Sequence, residues 1–304
     1  MDALLPRTSF ACDVATMVIS ALSIFGNLLV ISSVVSLKRG KWTILTMSKL
    51  SLAFSDGCLA ITAFIYGVHA SVADADIRLY MIIRNTLQPF FASVSYCTVC
   101  LIAIQRFYAI NYPFKYLIIT KRHQCSYILA MWLFLLPSTV LFVIAYVTKI
   151  LTKDGVLVLI LVFIVTPFLA TITSTVGMMV AYFIDIKKNG VHFASDNNGT
   201  ISNPRNHSKL VKTAALISIG YVITSGPPVF AILYKAVSGN SIGSIVYEIA
   251  FPLFYLTGIV DVTVYSYLDD EFRKYAKTLY DRLCCCWNNK STTDCRVISL
   301  SVRN

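Results

Sequence analysis

The sequence predicts an all-α membrane protein, a seven-transmembrane helix bundle plus a short amphipathic eighth helix. Three observations predict it. Apolar residues make up 57% of the chain and charged ones 13%, against roughly 25% charged in a soluble domain. The charges cluster and leave seven largely apolar windows, at roughly 14–37, 44–69, 80–110, 125–148, 156–186, 210–236 and 244–268, each at or above the about 20 residues that a bilayer core asks of a helix. The basic residues fall mostly in alternate loops between these windows, which is the charge asymmetry of a multi-pass chain.

In lipid each window must satisfy its own backbone hydrogen bonds, so helix is the expected state. Membrane strands would alternate polar and apolar residues, and these windows do not. The tail 1–13 is too short to fold alone. It lacks a basic n-region, and the first apolar run is too long for a signal peptide, so that window is expected to act as its own insertion signal. Residues 14–268 then form one membrane domain. Residues 269–304 are read as an amphipathic helix and tail, because Phe272, Tyr275, Ala276, Leu279 and Leu283 recur at helical spacing. Cys284, Cys285 and Cys286 close that stretch and read as palmitoylation sites on an interfacial helix. The rival is a zinc cluster, but three adjacent cysteines wrap one ion poorly and no nearby His helps. The segment from Asn189 to Ser208 is rich in Asn, Gly, Ser and Pro and reads as an irregular loop.

Orientation follows from charge. Lys38, Arg39 and Lys41 lie after the first window, Lys115, Lys121 and Arg122 after the third, and Lys187, Lys188, Arg205, Lys209 and Lys212 after the fifth. Seven more basic residues, from Arg273 to Arg303, follow the last window. The other side holds Arg7, Arg78, Arg84, Lys149, Lys153 and Lys235. The amino terminus is therefore expected outside and the carboxyl terminus in the cytosol. The net charge of +11 reflects these loops. No basic face exists apart from them, so nucleic acid is not an expected partner. Sequons at Asn198, Asn206 and Asn289 fall on the expected cytosolic side, where they would go unused.

Polar residues inside the windows are expensive and so informative. Asp56 and Asp261 lie at membrane depth in the second and seventh windows, and should face the interior and share a proton, a cation or water. Asn27 lies at comparable depth in the first. Ser95 precedes Arg106 by about three turns, near mid-membrane. Arg106 sits where the third window meets a basic loop, either with a task there or as a cation reaching for the headgroups. In the sixth window, Gly226, Pro227 and Pro228 predict a sharp kink, because each proline removes a helix hydrogen bond.

The order and depth of these residues resemble the rhodopsin-like (class A) G-protein-coupled receptors. Gly26-Asn27, Leu52-Ala53-x-x-Asp56, Trp132, Pro167, Asp261-x-x-x-Tyr265 and Phe272 occupy the expected windows. The stretch Gln105-Arg106-Phe107, followed by Pro113, is similar to that family's Asp/Glu-Arg-Tyr and loop proline, with Gln in place of the acid. Val262 stands where the family has Pro, and Thr224-Ser225-Gly226-Pro227-Pro228 where it reads Cys-Trp-x-Pro.

The resemblance implies a fold, a site and partners. Asp56, Ser95 and Asp261, with Asn27 nearby, would form a sodium- and water-filled pocket, with Asp56 and Asp261 as the sodium ligands. The alternative is an interhelical contact in which one carboxyl is protonated. Arg106, Pro113, Tyr182 and Tyr265 would form the coupling switch, with a weak resting clamp because the acid beside Arg106 is missing. Pro227 or Pro228 would be the hinge. A ligand pocket opening outward would draw on Arg84, Gln88, Phe230, Tyr234, Glu248 and Tyr255. Gln88 stands where amine receptors carry Asp, which disfavours an amine. The seventh window has no Lys for a retinal Schiff base. The family's outer disulfide is missing, since Cys12 is the one cysteine expected outside.

A heterotrimeric G protein, an extracellular ligand of small size and the bilayer are the implied partners, at the plasma membrane. An enzyme is not expected, because the four His residues are scattered and no nucleophile-base spacing is visible. Two alternatives stay open: a non-signalling seven-helix partner of another receptor, and a small transporter, although no second half repeats the broken sixth window.

Overall fold

A computed structural model of the chain describes residues 10–37, 42–71, 87–147, 161–189, 204–238 and 244–287. The helices are α1 (Phe10–Ser36), α2 (Ile44–Ser71), α3 (Gln88–Asn111), α4 (Pro113–Ile118), α5 (Lys121–Val147), α6 (Thr166–Asn189), α7 (Pro204–Ser238), α8 (Ser244–Tyr255), α9 (Thr257–Leu268) and α10 (Asp270–Trp287). Among the described residues, six helices are long and apolar enough to cross a membrane.

The seventh window is two helices rather than one. Pro252 lies inside α8 with no N–H for the carbonyl of the preceding turn, and α8 ends at Tyr255, with Leu256 between it and α9. The rod survives the break. The Leu256 amide donates to Pro252 O at 3.2 Å, and the Val260 amide donates to Leu256 O at 3.0 Å. Together α8 and α9 supply the seventh crossing.

Other boundaries moved for local reasons. α1 starts at Phe10, so Cys12, expected in an outer tail, is buried in its first turn. A π-helical turn, Leu161–Val165, precedes α6. Pro167 has no N–H for a preceding carbonyl, and the Thr166 hydroxyl donates to Leu161 O at 2.8 Å instead. The amphipathic helix runs four residues further than expected, so Cys284, Cys285 and Cys286 belong to the last turn of α10.

α3 is the most buried span and packs against α2, α5, α6 and α7. α1 closes the ring by packing on α2, α8 and α9. Van der Waals packing and small residues hold helices together where lipid is as apolar as the core. α1 and α9 meet at two glycines. A Cβ on Gly258 would lie 2.2 Å from Ser23 Oγ, and one on Gly26 would lie 2.8 Å from Val262 Cγ2. α7 meets α9 at Gly220, where a Cβ would lie 2.4 Å from Val260 Cγ1.

Trp132 of α5 anchors the least buried span. Its Nε1 donates to Ser51 Oγ of α2 at 3.1 Å. Its ring packs against Phe54 and Phe90, with centroids 5.7 and 5.8 Å away. α10 leaves the bundle with Phe272 buried and Arg273, Lys274 and Lys277 exposed, and it packs on α1 and α9.

Candidate functional site

Two buried carboxyls meet in the middle of the bundle. Asp56 of α2 and Asp261 of α9 are 3% and 1% exposed, and their side chains adjoin. The Ser95 hydroxyl of α3 donates to Asp56 Oδ1 at 2.6 Å. Asp56 Oδ2 and both Asp261 oxygens have no protein partner. A buried carboxylate oxygen without a partner is strongly disfavoured. The donor set fits either one hard monovalent cation or shared protons, since oxygen ligands suit such ions. Among the described residues, no group of three or more His, Cys, Asp or Glu gathers for a multivalent metal.

Asn27 lies at the same depth, fully buried beside Gly57 and Gly258. Its amide donates to Ser23 O and Ser23 Oγ at 3.0 and 3.2 Å. It therefore fixes its own helix rather than bonding either carboxyl.

The sequence reading passed over Tyr221 of α7. It is 1% exposed and lies beside Ser95 and both carboxyls. Tyr96 of α3 packs edge-on against it, 4.8 Å between centroids at 81°, and against Phe168 of α6 at 6.3 Å. One turn outward, Thr224 Oγ1 of α7 meets Thr257 Oγ1 of α9 at 2.8 Å. The signal was present, because Ser218, Tyr221, Thr224 and Ser225 recur at three- and four-residue spacing and mark one polar stripe. Gly226 stands where the resemblance expected a large aromatic, and Phe168 Cζ is the atom nearest a Cβ there, at 3.8 Å. Pro228 is the buried proline of the pair and Pro227 the exposed one.

At one end of the bundle Arg106 is 6% exposed and its Nε has no partner. Among the described residues no carboxylate pairs with it. Its neighbour Gln105 turns away, to Ser48 of α2 at 3.4 Å. Gln124 of α5 donates to the same hydroxyl at 2.9 Å. Tyr265 is buried with its hydroxyl unpartnered. Tyr182 is half-buried on α6 and packs against the core. Pro113 opens α4 at its first turn.

Lys49 of α2 was also missed. Its ammonium lies 5.1 Å from the Tyr265 ring centroid and ion-pairs with Asp269. A Lys within an apolar window should have drawn notice. It sits seven residues before Asp56, on the same face.

At the opposite end Tyr255 of α8 donates to Gln88 Oε1 of α3 at 3.1 Å. This joins two of the residues expected in the ligand pocket. Gln88 is 7% exposed and its Nε2 is unpartnered. Phe230 and Tyr234 require a correction. They are 63% and 42% exposed and face outward from α7, with rings 6.3 Å apart. Their four-residue spacing places both on the face opposite Val229 and Ala231, which are buried. Arg84 lies outside the described residues, and Glu248 contributes the backbone of α8.

The model of the 7 transmembrane receptor (rhodopsin family) matches residues 26–264. The chain belongs to that receptor family. Among curated proteins none matches it. The match spans the helix bundle from Gly26 to Val264 and includes both carboxyls, Ser95 and Arg106.

Proposed function

We propose that this receptor signals through a heterotrimeric G protein, from the plasma membrane, with its amino terminus outside. The observation that carries the reading is the family match across both carboxyls, joined to their three unpartnered oxygens. The basic loops support a cytosolic Arg106 end. A ligand enters at the Gln88–Tyr255 end, where the unpartnered Gln88 amide favours a hydrogen-bond acceptor over an amine. α7 then moves about the Pro228 kink, and a cleft opens beside Arg106. Cys284, Cys285 and Cys286 carry acyl chains that hold α10 on the membrane. A sodium ion between Asp56 and Asp261 would supply the positive counter-charge that two buried carboxylates need. An ion that favours one arrangement shifts the balance by its differential affinity.

The test uses purified receptor in nanodiscs with a panel of G proteins and follows nucleotide exchange without ligand. Because Arg106 has no paired carboxylate among the described residues, exchange above empty nanodiscs is expected. Sodium chloride, against choline chloride, should lower it about fivefold, at the scale of ordinary coupling energies, and Asp56→Asn should lose that response. Exchange that ignores sodium in the unaltered receptor would leave protons rather than a cation between the carboxyls. No exchange on any G protein would overturn the signalling reading in favour of a silent partner of another receptor.

A further inference from the structure

We propose that Lys49 is a latch that holds the α9–α10 corner, and with it Tyr265, in the resting arrangement. This rests on the proposed signalling reading. The latch replaces the clamp that Gln105 does not make.

Four observations converge on one side chain. Lys49 projects from α2 at 13% side-chain exposure and ion-pairs with Asp269, itself 20% exposed. Its ammonium lies 5.1 Å from the centroid of the Tyr265 ring, within the range of a cation–π contact. Asp269 is the residue between α9 and α10, and its Oδ1 accepts the Phe272 amide at 3.3 Å. One carboxylate thus caps the first turn of α10 and anchors a lysine two helices away. Meanwhile Arg106 is buried without an ion pair among the described residues, and Gln105 bonds Ser48 and lies beside Gln124.

The geometry gives the latch its direction. Tyr265 carries an unpartnered hydroxyl and Arg106 an unpartnered Nε. If the Tyr265 ring swings toward Arg106, it must leave the Lys49 ammonium. If the corner pivots, Asp269 must leave it too. Each departure loses an attraction and strands a half-buried charge. Lys49 therefore opposes both motions. The neighbouring residue Ser48 binds Gln105 and Gln124, so α2 carries both ties from adjacent positions.

The variants separate charge from fold. Lys49→Met keeps the apolar stem, and Lys49→Arg keeps the charge. Asp269→Asn keeps the cap, since Asn caps helices as well as Asp does. Basal nucleotide exchange in nanodiscs is read beside hydrogen exchange of the amides from Leu268 to Phe272. Lys49→Met should raise basal nucleotide exchange about fivefold, the scale of one partly buried cation–π contact, and speed amide exchange at the corner. Asp269→Asn should act in the same sense. The double variant should raise exchange by less than the two single effects combined, because the two residues act through one contact. Lys49→Arg should behave as the unaltered protein. Additive singles, or Lys49→Met that changes neither reading, would overturn the latch. Faster corner exchange with no nucleotide exchange from any form would keep the tether and overturn the signalling reading instead.

Discussion

Gly258 shows how closely single residues are fitted in this bundle. Its missing side chain lets Ser23 and Asn27 of α1 approach α9, with Ser23 Oγ 2.2 Å and Asn27 Nδ2 2.9 Å from where a Cβ would stand. Neither atom is the end of a long flexible chain, so both would have to shift together. Gly258→Ala is expected to destabilise the protein by about 1–3 kcal/mol, the usual penalty of overpacking. Gly57→Ala is the control, because its Cβ would meet Asn27 Cβ at an ordinary 3.7 Å. Thermal unfolding in nanodiscs checks both. Equal midpoints for the two variants would mean α1 and α9 sit further apart than described. The same residue scale explains what was readable in the chain. Asp56, Ser95 and Asp261 announced the interior because burying a polar group needs a reason. Lys49 escaped because a lysine about one and a half turns from a helix end usually reaches for headgroups, and no spacing rule reveals that Asp269 will fold back to meet it.

At the scale of elements, α7 and α9 are joined by a pair of hydroxyls. Gly220 O lies 2.9 Å from Thr224 Oγ1 and Phe254 O lies 2.7 Å from Thr257 Oγ1, so one hydroxyl donates to its own helix while the other donates across to it. Each hydroxyl therefore keeps a backbone partner when the other is removed. Thr224→Val and Thr257→Val should each cost little, and their coupling in a double-variant cycle should be about 0.6 kcal/mol, typical of interhelical hydrogen bonds in membranes. Coupling near zero would mean the two helices touch without bonding. α7 also marks the limit of the sequence reading. Its polar stripe identifies the inner face, but Phe230 and Tyr234, expected inward, turn outward. Lipid accepts an aromatic ring as readily as the core does, so apolar periodicity alone cannot separate the two faces. The end of α8 at Tyr255 was not legible either, because Pro252 disturbs the turn before it and says nothing of a boundary after it.

α10 raises the question of what keeps an amphipathic helix on a membrane. Phe272 is buried against the bundle, and the face with Arg273, Lys274 and Lys277 is exposed. Three cysteines in its last turn would add acyl chains at about 0.8 kcal/mol for each buried methylene. Acyl exchange after hydroxylamine should label the chain, and replacing Cys284, Cys285 and Cys286 by serine should abolish the label. An unlabelled protein would leave the Lys49–Asp269 pair and Phe272 as the main holds on this helix.

The whole molecule is held by packing and buried polar pairs, and no covalent brace contributes among the described residues. Cys12, Cys58, Cys97, Cys100 and Cys125 form no disulfide. Cys12 sits buried in the first turn of α1, and Cys97 and Cys100 are half-buried on α3. The remaining cysteines, at 284, 285, 286 and 295, follow α9 on the side proposed to face a reducing cytosol. The architecture explains why a brace is dispensable. α3 packs against α2, α5, α6 and α7, and α1 closes the ring through glycine contacts that admit backbones closely. Losing a native disulfide costs about 2–5 kcal/mol, enough to lower an unfolding midpoint by several degrees. Treatment with a phosphine reductant should therefore leave the midpoint of the nanodisc-embedded receptor within about 2 °C of its untreated value, given the slope expected for a chain of this size. A larger drop would reveal a disulfide, and with it a different placement of Cys12. Reductant-sensitive stability in a Cys12→Ser variant would move the suspicion to the half-buried pair on α3, whose three-residue spacing puts both thiols on one face.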